Sequence, residues 1–328
     1  MRRRGQRLSP RYAPVLSALP AILLHSLTML KTTLVLALTA AASSGASIED
    51  TLMAFEKGAM ERWRNGDPMG WAEISAPEVT YVDPGQTKPI VGLEEYTRFL
   101  EKLKGQIVYQ CSEFLHPRIA IYGDVAVMTY NYRSTVKNQD GSVKDQTLWN
   151  TTEVYARTGA AWKIVHTHWS FVNHTAPDAV EVPVPVGLKP ATYSGVPGEL
   201  MTLEMAAMER WRKGDPWGFT EISAPPVTYF DSGTPQRLDG LDALKAEYAK
   251  RVGKIRYDAM DFVAPVAQVH GDAAVLFYRF FDTHLAPDGS IRHRTAWNCT
   301  EVYARVGGHW KIVHTHWSLI NGSPAKTQ

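Results

Sequence analysis

The chain has 328 residues, 45% of them apolar, and a formal net charge of +2, which is typical of a globular protein with about two domains. All acidic residues lie at or after Glu49, and six basic residues precede it, so the rest of the chain carries a charge near −4 (2 − 6). A mildly acidic body without a basic stripe argues against nucleic acid as the main partner, and two unrelated cysteines imply no disulfide framework.

The first 46 residues are predicted to be a leader. They have a basic start, an apolar run over Leu34–Ala42 and the small residues Ser44-Gly45-Ala46, a pattern suited to signal peptidase cleavage after Ala46. We therefore expect an exported protein, periplasmic or secreted. A transit peptide is the main alternative. A retained anchor is disfavoured because His25 and Lys31 interrupt the apolar run, and Met29 is an alternative start.

Three helices are predicted after the leader. Gly66 ends the first helix, Asp67-Pro68 begins a short second one, and a third follows a strand at Val79–Asp83. The apolar residues with helical spacing are Leu52, Phe55, Ala59 and Trp63 in the first helix and Leu93, Tyr96, Leu100 and Leu103 in the third.

From Ile107 onward the pattern is that of strands, because β-branched and aromatic residues dominate and turn residues separate the runs. Turns are predicted at His116-Pro117, Gly123-Asp124 and Asp140-Gly141. The predicted strands are Ile107–Leu115, Ile119–Tyr122, Val125–Val136, Val143–Arg157 and Trp162–Val172. Helices followed by a long meander predict an α+β fold, with three helices packed on a curved antiparallel sheet.

The whole arrangement occurs twice. The stretches 149–173 and 297–321 differ at only six of twenty-five positions, and equivalent residues such as Met60 and Met208 are always 148 apart (208 − 60). The predicted organisation is a leader at 1–46, domains at 47–174 and 198–322, a proline-rich linker at 175–197 and a tail at 323–328. We expect the two sheets to pack against each other as an intramolecular pseudo-dimer.

The motifs resemble the nuclear transport factor 2-like, or SnoaL-like, superfamily. The segment Val79–Gly85 resembles that of bacterial ketosteroid isomerase, which implies that Asp83 is a proton-shuttling base. Glu153, within Thr152–Tyr155, matches the protonated acid of the isomerase's oxyanion hole, and Trp169 matches a pocket tryptophan. The segment Trp162–His168 also resembles the association domain of calcium/calmodulin-dependent kinase II. Each domain is therefore expected to form a cone.

Strand alternation places Lys163, Val165, Thr167, Trp169 and Phe171 on one face of the last strand. If Trp169 faces the pocket, Val165 and Thr167 follow it and the two neighbouring histidines point away. A mid-strand carboxyl is costly to bury ionised, so Glu153 is predicted to stay protonated, and Asp83, at a wetter strand end, to stay ionised. Such a pair permits proton abstraction next to a carbonyl, as the resemblance to ketosteroid isomerase also implies.

The predicted site follows from these assignments. The catalytic candidates are Asp83, Glu153, Asp231 and Glu301. The ligand-binding candidates are Tyr81, Tyr130, Tyr132, Thr167, Trp169, Tyr229, Tyr278, Thr315 and Trp317. We expect a small apolar or carbonyl-bearing ligand, no cofactor and about one negative charge in each cone. The His-x-His spacing suits a metal, but no third ligand is evident and an interface role is favoured.

Several alternatives remain open from the sequence. Asp83 before Pro-Gly is also typical of turn chemistry, and Glu153 could pair with Arg133 or Arg157. The isomerase has an oxyanion tyrosine where this chain has Ala59, and Tyr130 or Tyr132 could substitute for it. Isomerase or cyclase-type proton transfer is therefore the sharper functional hypothesis, and a non-catalytic binding or hub-like assembly module competes with it.

Overall fold

The computed structural model describes residues 46–107, 109–172 and 194–320. Almost all of the predicted leader, most of the predicted linker and the tail lie outside the described residues. Both repeats belong to one compact unit that begins at Ser47. No helix among the described residues is long and apolar enough to cross a membrane.

The two repeats have the same order of elements. The first contains α1 (Ile48–Arg64), α2 (Met69–Ile74), β1 (Ser75–Val82), β2 (Ile90–Val91), α3 (Leu93–Leu103), β3 (Cys111–Tyr122), β4 (Val125–Lys137), β5 (Val143–Thr158) and β6 (Ala161–Phe171). The second contains α4 (Gly195–Trp211), α5 (Trp217–Ile222), β7 (Ser223–Phe230), β8 (Leu238–Asp239), α6 (Leu241–Ala249), β9 (Ala259–His270), β10 (Ala273–Leu285), β11 (Ile291–Val306) and β12 (His309–Leu319).

Each repeat forms a six-stranded sheet with the order β2-β1-β6-β5-β4-β3, or β8-β7-β12-β11-β10-β9 in the second repeat. The α+β fold in two tandem domains is thus confirmed. The sheet is mixed rather than antiparallel, because β1 runs parallel to β6 and β7 runs parallel to β12. Through this parallel pairing, the strand after the short helix extends the antiparallel meander by one strand. The helices cover one face of the resulting sheet and enclose a core in each repeat.

The ends of the first helix follow from local sequence. Ser47 and Asp50 form a capping box at its start, and the Asp50 N–H donates to the Ser47 hydroxyl at 3.0 Å. The helix ends at Arg64, and Gly66 adopts a left-handed conformation with φ of 81°. The predicted stop at Gly66 is confirmed.

The predicted turn at His116-Pro117 is wrong. β3 runs through these residues as one strand, and the register of its pairing with β4 shifts between Leu115 and Arg118. His116 has a positive φ of 51°, and Ala264, at the equivalent position in β9, has a positive φ of 49°. Proline cannot donate to the ladder, so a bulge accommodates it without ending the strand.

A second bulge changes which side chains of β6 face the cone. Val154 pairs with His166 and Tyr155 pairs with Ile164, which leaves Val165 as the extra residue. Ile164 therefore packs into the cone core, and Val165 packs on the opposite face of the sheet. The predicted placement of Val165 beside Trp169 is wrong, because one extra residue reverses the alternation on one side of it.

The two sheets pack face to face through the surfaces that point away from the cones. We call this surface the inter-repeat face. Its apolar part consists of small and β-branched residues from both repeats: Ala76, Val125, Val127, Val154, Ala156, Val165, Ala224, Ala273, Val275, Val302, Ala304 and Val313.

Buried histidines complete the inter-repeat face. His166 and His168, predicted to point away from the cone, do so and have no exposed surface. The Nε2 atom of His166 lies 2.8 Å from the Thr300 hydroxyl, and His314 makes the same contact with Thr152 at 2.8 Å. Among the described residues no group of three potential ligands could hold a metal ion, and these histidines are instead hydrogen-bonded across the interface.

Candidate functional site

A buried carboxyl group from the first helix lies at the inner end of each cone. Glu56 has no exposed surface and accepts hydrogen bonds from the hydroxyls of Tyr130, at 2.8 Å, and Tyr155. Burial raises the pKa of Glu56 to about 7, although the two tyrosine hydrogen bonds act in the opposite direction. The second repeat has the same arrangement, in which Glu204 accepts from Tyr278 at 2.5 Å and burial raises its pKa to about 7.

The sequence analysis missed these two glutamates. Helical glutamates are usually solvated, so Glu56 attracted no attention beside the apolar residues of α1. The available signal was its position four residues after Leu52 and four before Met60, on the buried stripe of the helix, together with its repetition at Glu204. A carboxyl in the middle of an apolar stripe that occurs twice is a candidate for a buried polar group.

Glu153 lies beside Glu56 in the first cone and is fully buried. Its Oε1 atom accepts from the Thr167 hydroxyl at 2.7 Å and from Trp169 Nε1 at 3.0 Å. Its Oε2 atom has no protein partner among the described residues. Burial, followed by the proximity of Glu56, raises the pKa of Glu153 well above its usual value. Burial and the neighbouring Glu56 thus both favour the protonated form of Glu153.

The alternative ion pairs for Glu153 are wrong. Arg133 pairs with Glu113 at 2.8 Å and Arg157 pairs with Asp124 at 2.7 Å, both at the surface. In the second repeat, Glu301 has the equivalent donors on separate oxygens, Oε2 accepting from Thr315 at 2.5 Å and Oε1 from Trp317 Nε1 at 2.7 Å. Burial and then Glu204 raise the pKa of Glu301 in the same way.

Asp83 is less exposed to solvent than the sequence analysis predicted. It is half-buried, and its two carboxyl oxygens accept from the Tyr81 hydroxyl and the Gly85 N–H, both at 2.6 Å. Burial raises the pKa of Asp83, and the hydrogen bond from Tyr81 opposes this rise. The turn interpretation and the acid–base interpretation are therefore compatible, since one oxygen holds the turn while the other meets a phenol.

Asp231, the equivalent residue, has an additional partner. It is buried and accepts from Tyr229 at 2.7 Å and from the Gly233 N–H at 2.6 Å. Arg251, just after α6, also donates to it at 2.5 Å. The expectation of about one negative charge per cone is therefore wrong for the second cone, because Arg251 neutralises Asp231 there.

A cavity of about 300 Å³ brings together four of the six predicted site residues of the second repeat, whereas Tyr278 and Thr315 do not line it. We call it the second-cone cavity. Asp231 and Glu301 both line it, with Tyr229 and Trp317 among its aromatic walls. Its other lining residues are Trp211, Phe219, Tyr248, Arg251, Lys254, Ile255, Arg256, Tyr257, Phe280, Asp282, His284 and Trp297.

The second-cone cavity has charged lining residues that the first repeat lacks. Lys254 and Arg256 are exposed and form its solvent side, whereas Glu301 is buried at its inner end. Asp282 accepts from Trp297 Nε1 at 2.8 Å. Subtracting 148 from Arg251, Lys254, Arg256, Asp282 and His284 gives Leu103, Gln106, Val108, Ser134 and Val136. The two cones have therefore diverged in polarity although their inner carboxyls are the same.

The remaining predicted residues pack among aromatic side chains. Tyr132 exchanges a hydrogen bond with Tyr109 at 2.6 Å, and its ring lies 5.8 Å from that of Trp169. Trp169 also contacts Tyr130 at 6.1 Å and Trp149 at 6.0 Å, in edge-on geometry. These aromatic groups pack together in the core of the first cone, and Trp169 connects them to Glu153.

Comparison with known proteins identifies the domain. The family model for the calcium/calmodulin dependent protein kinase II association domain matches residues 49–173 and again 198–321. No curated protein matches the chain at a significant level.

Several solved structures each match about two fifths of the chain. A putative ketosteroid isomerase from Parabacteroides distasonis is 33% identical, covering 38% of this chain and 89% of its own, with a TM-score of 0.34. The kinase hub from S. rosetta is 20% identical, with coverages of 39% and 98% and a TM-score of 0.33. An NTF2-like protein of unknown function from Pseudomonas putida is 23% identical, with coverages of 43% and 96% and a TM-score of 0.34. The chain belongs to the calcium/calmodulin-dependent protein kinase II association domain family and carries the domain twice, each copy with the nuclear transport factor 2-like fold.

Proposed function

We propose that the protein binds a small organic molecule with an apolar body and an acidic or strongly polarised carbonyl group in the second-cone cavity. The observation that carries this proposal is the shared lining of that cavity by aromatic rings, three cationic side chains and Glu301. Its volume of about 300 Å³ is at the small end of ligand pockets, which suits a single ring or a short acyl chain.

Charge favours an anion over a cation. Arg251, Lys254 and Arg256 contribute three positive charges and Asp231 with Asp282 two negative ones, which leaves +1 (3 − 2) if Glu301 is protonated. Arg251 is already held by Asp231, so Lys254 and Arg256 are the cations available to a ligand. A carboxylate on the solvent side and an apolar group against Trp317 would satisfy both ends of the cavity.

Titration calorimetry with the full-length protein tests this proposal. The probes are benzoate, phenylacetate and cyclohexanecarboxylate, each compared with its primary amide. We expect at least one acid to bind about tenfold more tightly than its amide, and this preference to vanish in Lys254→Gln/Arg256→Val, which copies residues of the first repeat. Lys250→Gln removes an exposed charge nearby without touching the cavity, and serves as the control. Equal binding of acid and amide would contradict the proposal.

Carboxylate proton transfer of the isomerase or cyclase type is a second candidate. It is favoured by one observation, the joint lining of a single cavity by Asp231 and Glu301. The oxygens of Asp231 are engaged by Tyr229, Gly233 and Arg251, which favours binding over proton abstraction. Deuterium uptake by a cyclic enone in heavy water distinguishes the two. Catalysis predicts uptake with wild type and none with Asp83→Asn/Asp231→Asn, whereas equal uptake, or none in either, leaves binding.

An association role remains the alternative to both, since the family is named for its association domain and the S. rosetta relative is a hub. Failure of the whole probe panel to bind would favour this role. We also propose that the protein is exported, on the strength of the basic and apolar leader.

A further inference from the structure

The residues along the two edges of the inter-repeat face, which we call its rim, lack the internal symmetry of its centre. If two identical domains paired about a twofold axis, every contact would occur twice, with residues offset by 148. The centre obeys this rule, because His166 of the first repeat contacts Thr300 of the second at 2.8 Å and His314 of the second contacts Thr152 of the first at 2.8 Å. The rim does not obey this rule. The residues that differ between its two sides complement one another within each side.

On one side of the rim, the first repeat contributes Arg118 and the second contributes Arg237 and Asp239. Arg118 pairs with Asp239 at 3.3 Å, and Arg237 pairs with the same carboxylate at 2.7 Å. Arg237 also donates to the carbonyls of His116 at 2.7 Å and Thr129 at 3.0 Å, and only 8% of its side chain is exposed. We call this side the Arg118 rim.

The opposite side makes different contacts, and we call this side the Arg279 rim. There Arg279 donates to the carbonyl of Thr87 at 3.0 Å. The residues that occupy the other equivalent positions on this side carry no charge. Val266 replaces Arg118, Val91 replaces Asp239 and Pro89 replaces Arg237. On the Arg118 rim the position of Arg279 is held by Asn131, a neutral residue two positions after Thr129, whose carbonyl accepts from Arg237.

These choices are complementary only between unlike repeats. Two first repeats would place Arg118 opposite Val91, so the guanidinium would lose its carboxylate at a partly buried site. In a pair made of two second repeats, Arg237 of one copy would lie at the end of the rim where Arg279 of the other copy binds a carbonyl. Like charges would then meet where Arg237 is nearly buried.

We propose that the inter-repeat face is a matched pair of unlike surfaces, so that the first repeat accepts the second repeat and discriminates against a second copy of itself. The apolar and histidine centre supplies contacts that any combination would make, and the rim supplies the discrimination. This inference concerns assembly and is independent of the proposed ligand site.

Three full-length variants test it. In the first, the rim of repeat one is converted to that of repeat two by Pro89→Arg, Val91→Asp, Arg118→Val and Asn131→Arg. The second makes the reverse conversion by Arg237→Pro, Asp239→Val, Val266→Arg and Arg279→Asn. The third, the exchanged variant, carries all eight substitutions, which swaps the two rims and restores complementarity on both sides.

Thermal midpoints give the result. We expect each four-residue conversion to lower the midpoint by about 4 °C or more, and the exchanged variant to return to within about 2 °C of wild type. Conversions as stable as wild type would overturn the proposal. An exchanged variant no more stable than the conversions would also overturn it, because the loss would then come from the substitutions themselves.

A smaller pair of variants covers the case in which a conversion fails to fold. Asn131→Arg alone introduces a second guanidinium two residues from Thr129, whose carbonyl accepts from Arg237, and should lower the midpoint. Adding Arg237→Pro gives this side the residues of the Arg279 rim, where Arg279 and Pro89 occupy these positions, and should recover part of the loss. Additive destabilisation by the two substitutions would contradict the proposal.

Discussion

His168 and His316 stack on each other at the centre of the inter-repeat face, with ring centroids 3.8 Å apart and planes 8° apart. They occupy equivalent positions, so the stack marks the pseudo-twofold axis between the two sheets. Two protonated imidazoles at this separation would repel strongly in a medium of low polarity. The centre of the interface therefore favours neutral histidines. Protonation of these side chains would destabilise the pairing of the repeats, so we expect the pairing to be sensitive to acid.

The first prediction concerns this acid sensitivity. Burial lowers the pKa of His166 and His314 to about 3, whereas an unfolded histidine titrates near 6.5. Their contribution to stability is complete above about pH 6.5 and is lost as the pH falls toward 3, because only the unfolded state binds the protons. The two groups together predict a loss of about 3 kcal/mol between pH 6.5 and 5.

Urea unfolding at several pH values measures this loss. The double variant His166→Gln/His314→Gln should lack this component of the pH dependence, whatever its absolute stability. His309→Gln, at an exposed site at the start of β12, should keep the wild-type pH dependence. The prediction is wrong if the double variant and wild type change in parallel with pH.

The second prediction concerns the carboxyls at the inner ends of the cones. The pKa of Glu56 and of Glu204 is raised to about 7 from 4.5, so the folded state holds a proton that the unfolded state loses first. Stability therefore falls as the pH rises from 4.5 to 7, by about 3 kcal/mol for each group. This trend opposes that of the histidines, and the variants separate the two.

In Glu56→Gln/Glu204→Gln the carboxyl component should disappear. The variant should also be less stable at pH 5, because an amide nitrogen cannot accept a hydrogen bond and one tyrosine hydroxyl in each cone loses its acceptor, at about 1–3 kcal/mol. Unfolding free energies at pH 5 and pH 7 provide the measurement, with exposed Glu101→Gln as control. An unchanged difference between the two pH values would show that these glutamates titrate normally.

The third prediction tests the bulge in β6. Val165→Ala should cost about 2 kcal/mol of unfolding free energy, because the side chain is buried in the inter-repeat face. Lys163→Ala, two residues earlier in the strand, should cost less than about 1 kcal/mol, because the lysine donates only to a surface carbonyl. A cost for Val165→Ala no larger than that for Lys163→Ala would contradict the burial of Val165 in the inter-repeat face.

The fourth prediction concerns the leader. Cleavage after Ala46 would leave Ser47 as the first residue, and Ser47 with Asp50 already forms the capping box that begins α1. We therefore expect the mature protein to start near Ser47 with this helix intact. Intact-mass measurement on protein from its native source decides the matter, and an end at Met1 or Met29 would contradict it.

Part of this architecture could be predicted because it depends on local pattern. The helices and the long strands followed from apolar spacing, strand alternation and repetition. The resemblance placed Trp169 on the inner face of the sheet and alternation placed Thr167 beside it, and both side chains donate to Glu153. The faces of Ile164 and Val165 could not be predicted, because a one-residue bulge leaves no trace in periodicity and reverses alternation on one side of it. Likewise, the proline at 117 suggested a turn, whereas the surrounding pairing is strong enough to absorb it as a bulge.

Other features depend on contacts between residues far apart in sequence. The burial of Glu56 depends on Tyr130 and Tyr155, which lie 74 and 99 residues away. The neutralisation of Asp231 by Arg251 could have been found by comparing the two repeats, since Leu103 stands at the equivalent position. The repeat comparison identifies positions that differ, but only the fold shows which of them face the cavity and which face the other repeat.

The presence of both repeats on one polypeptide has a consequence for how the cones can change. In a dimer of identical subunits, any substitution near one cavity appears near both, so a change that suits one cavity but harms the other is lost. Here the arginine that pairs with Asp231 occurs once in each molecule, because the first repeat has Leu103 at the position of Arg251. The covalent connection also makes the encounter of the two domains independent of protein concentration. One cone can therefore preserve the folded pair while the other acquires a new ligand.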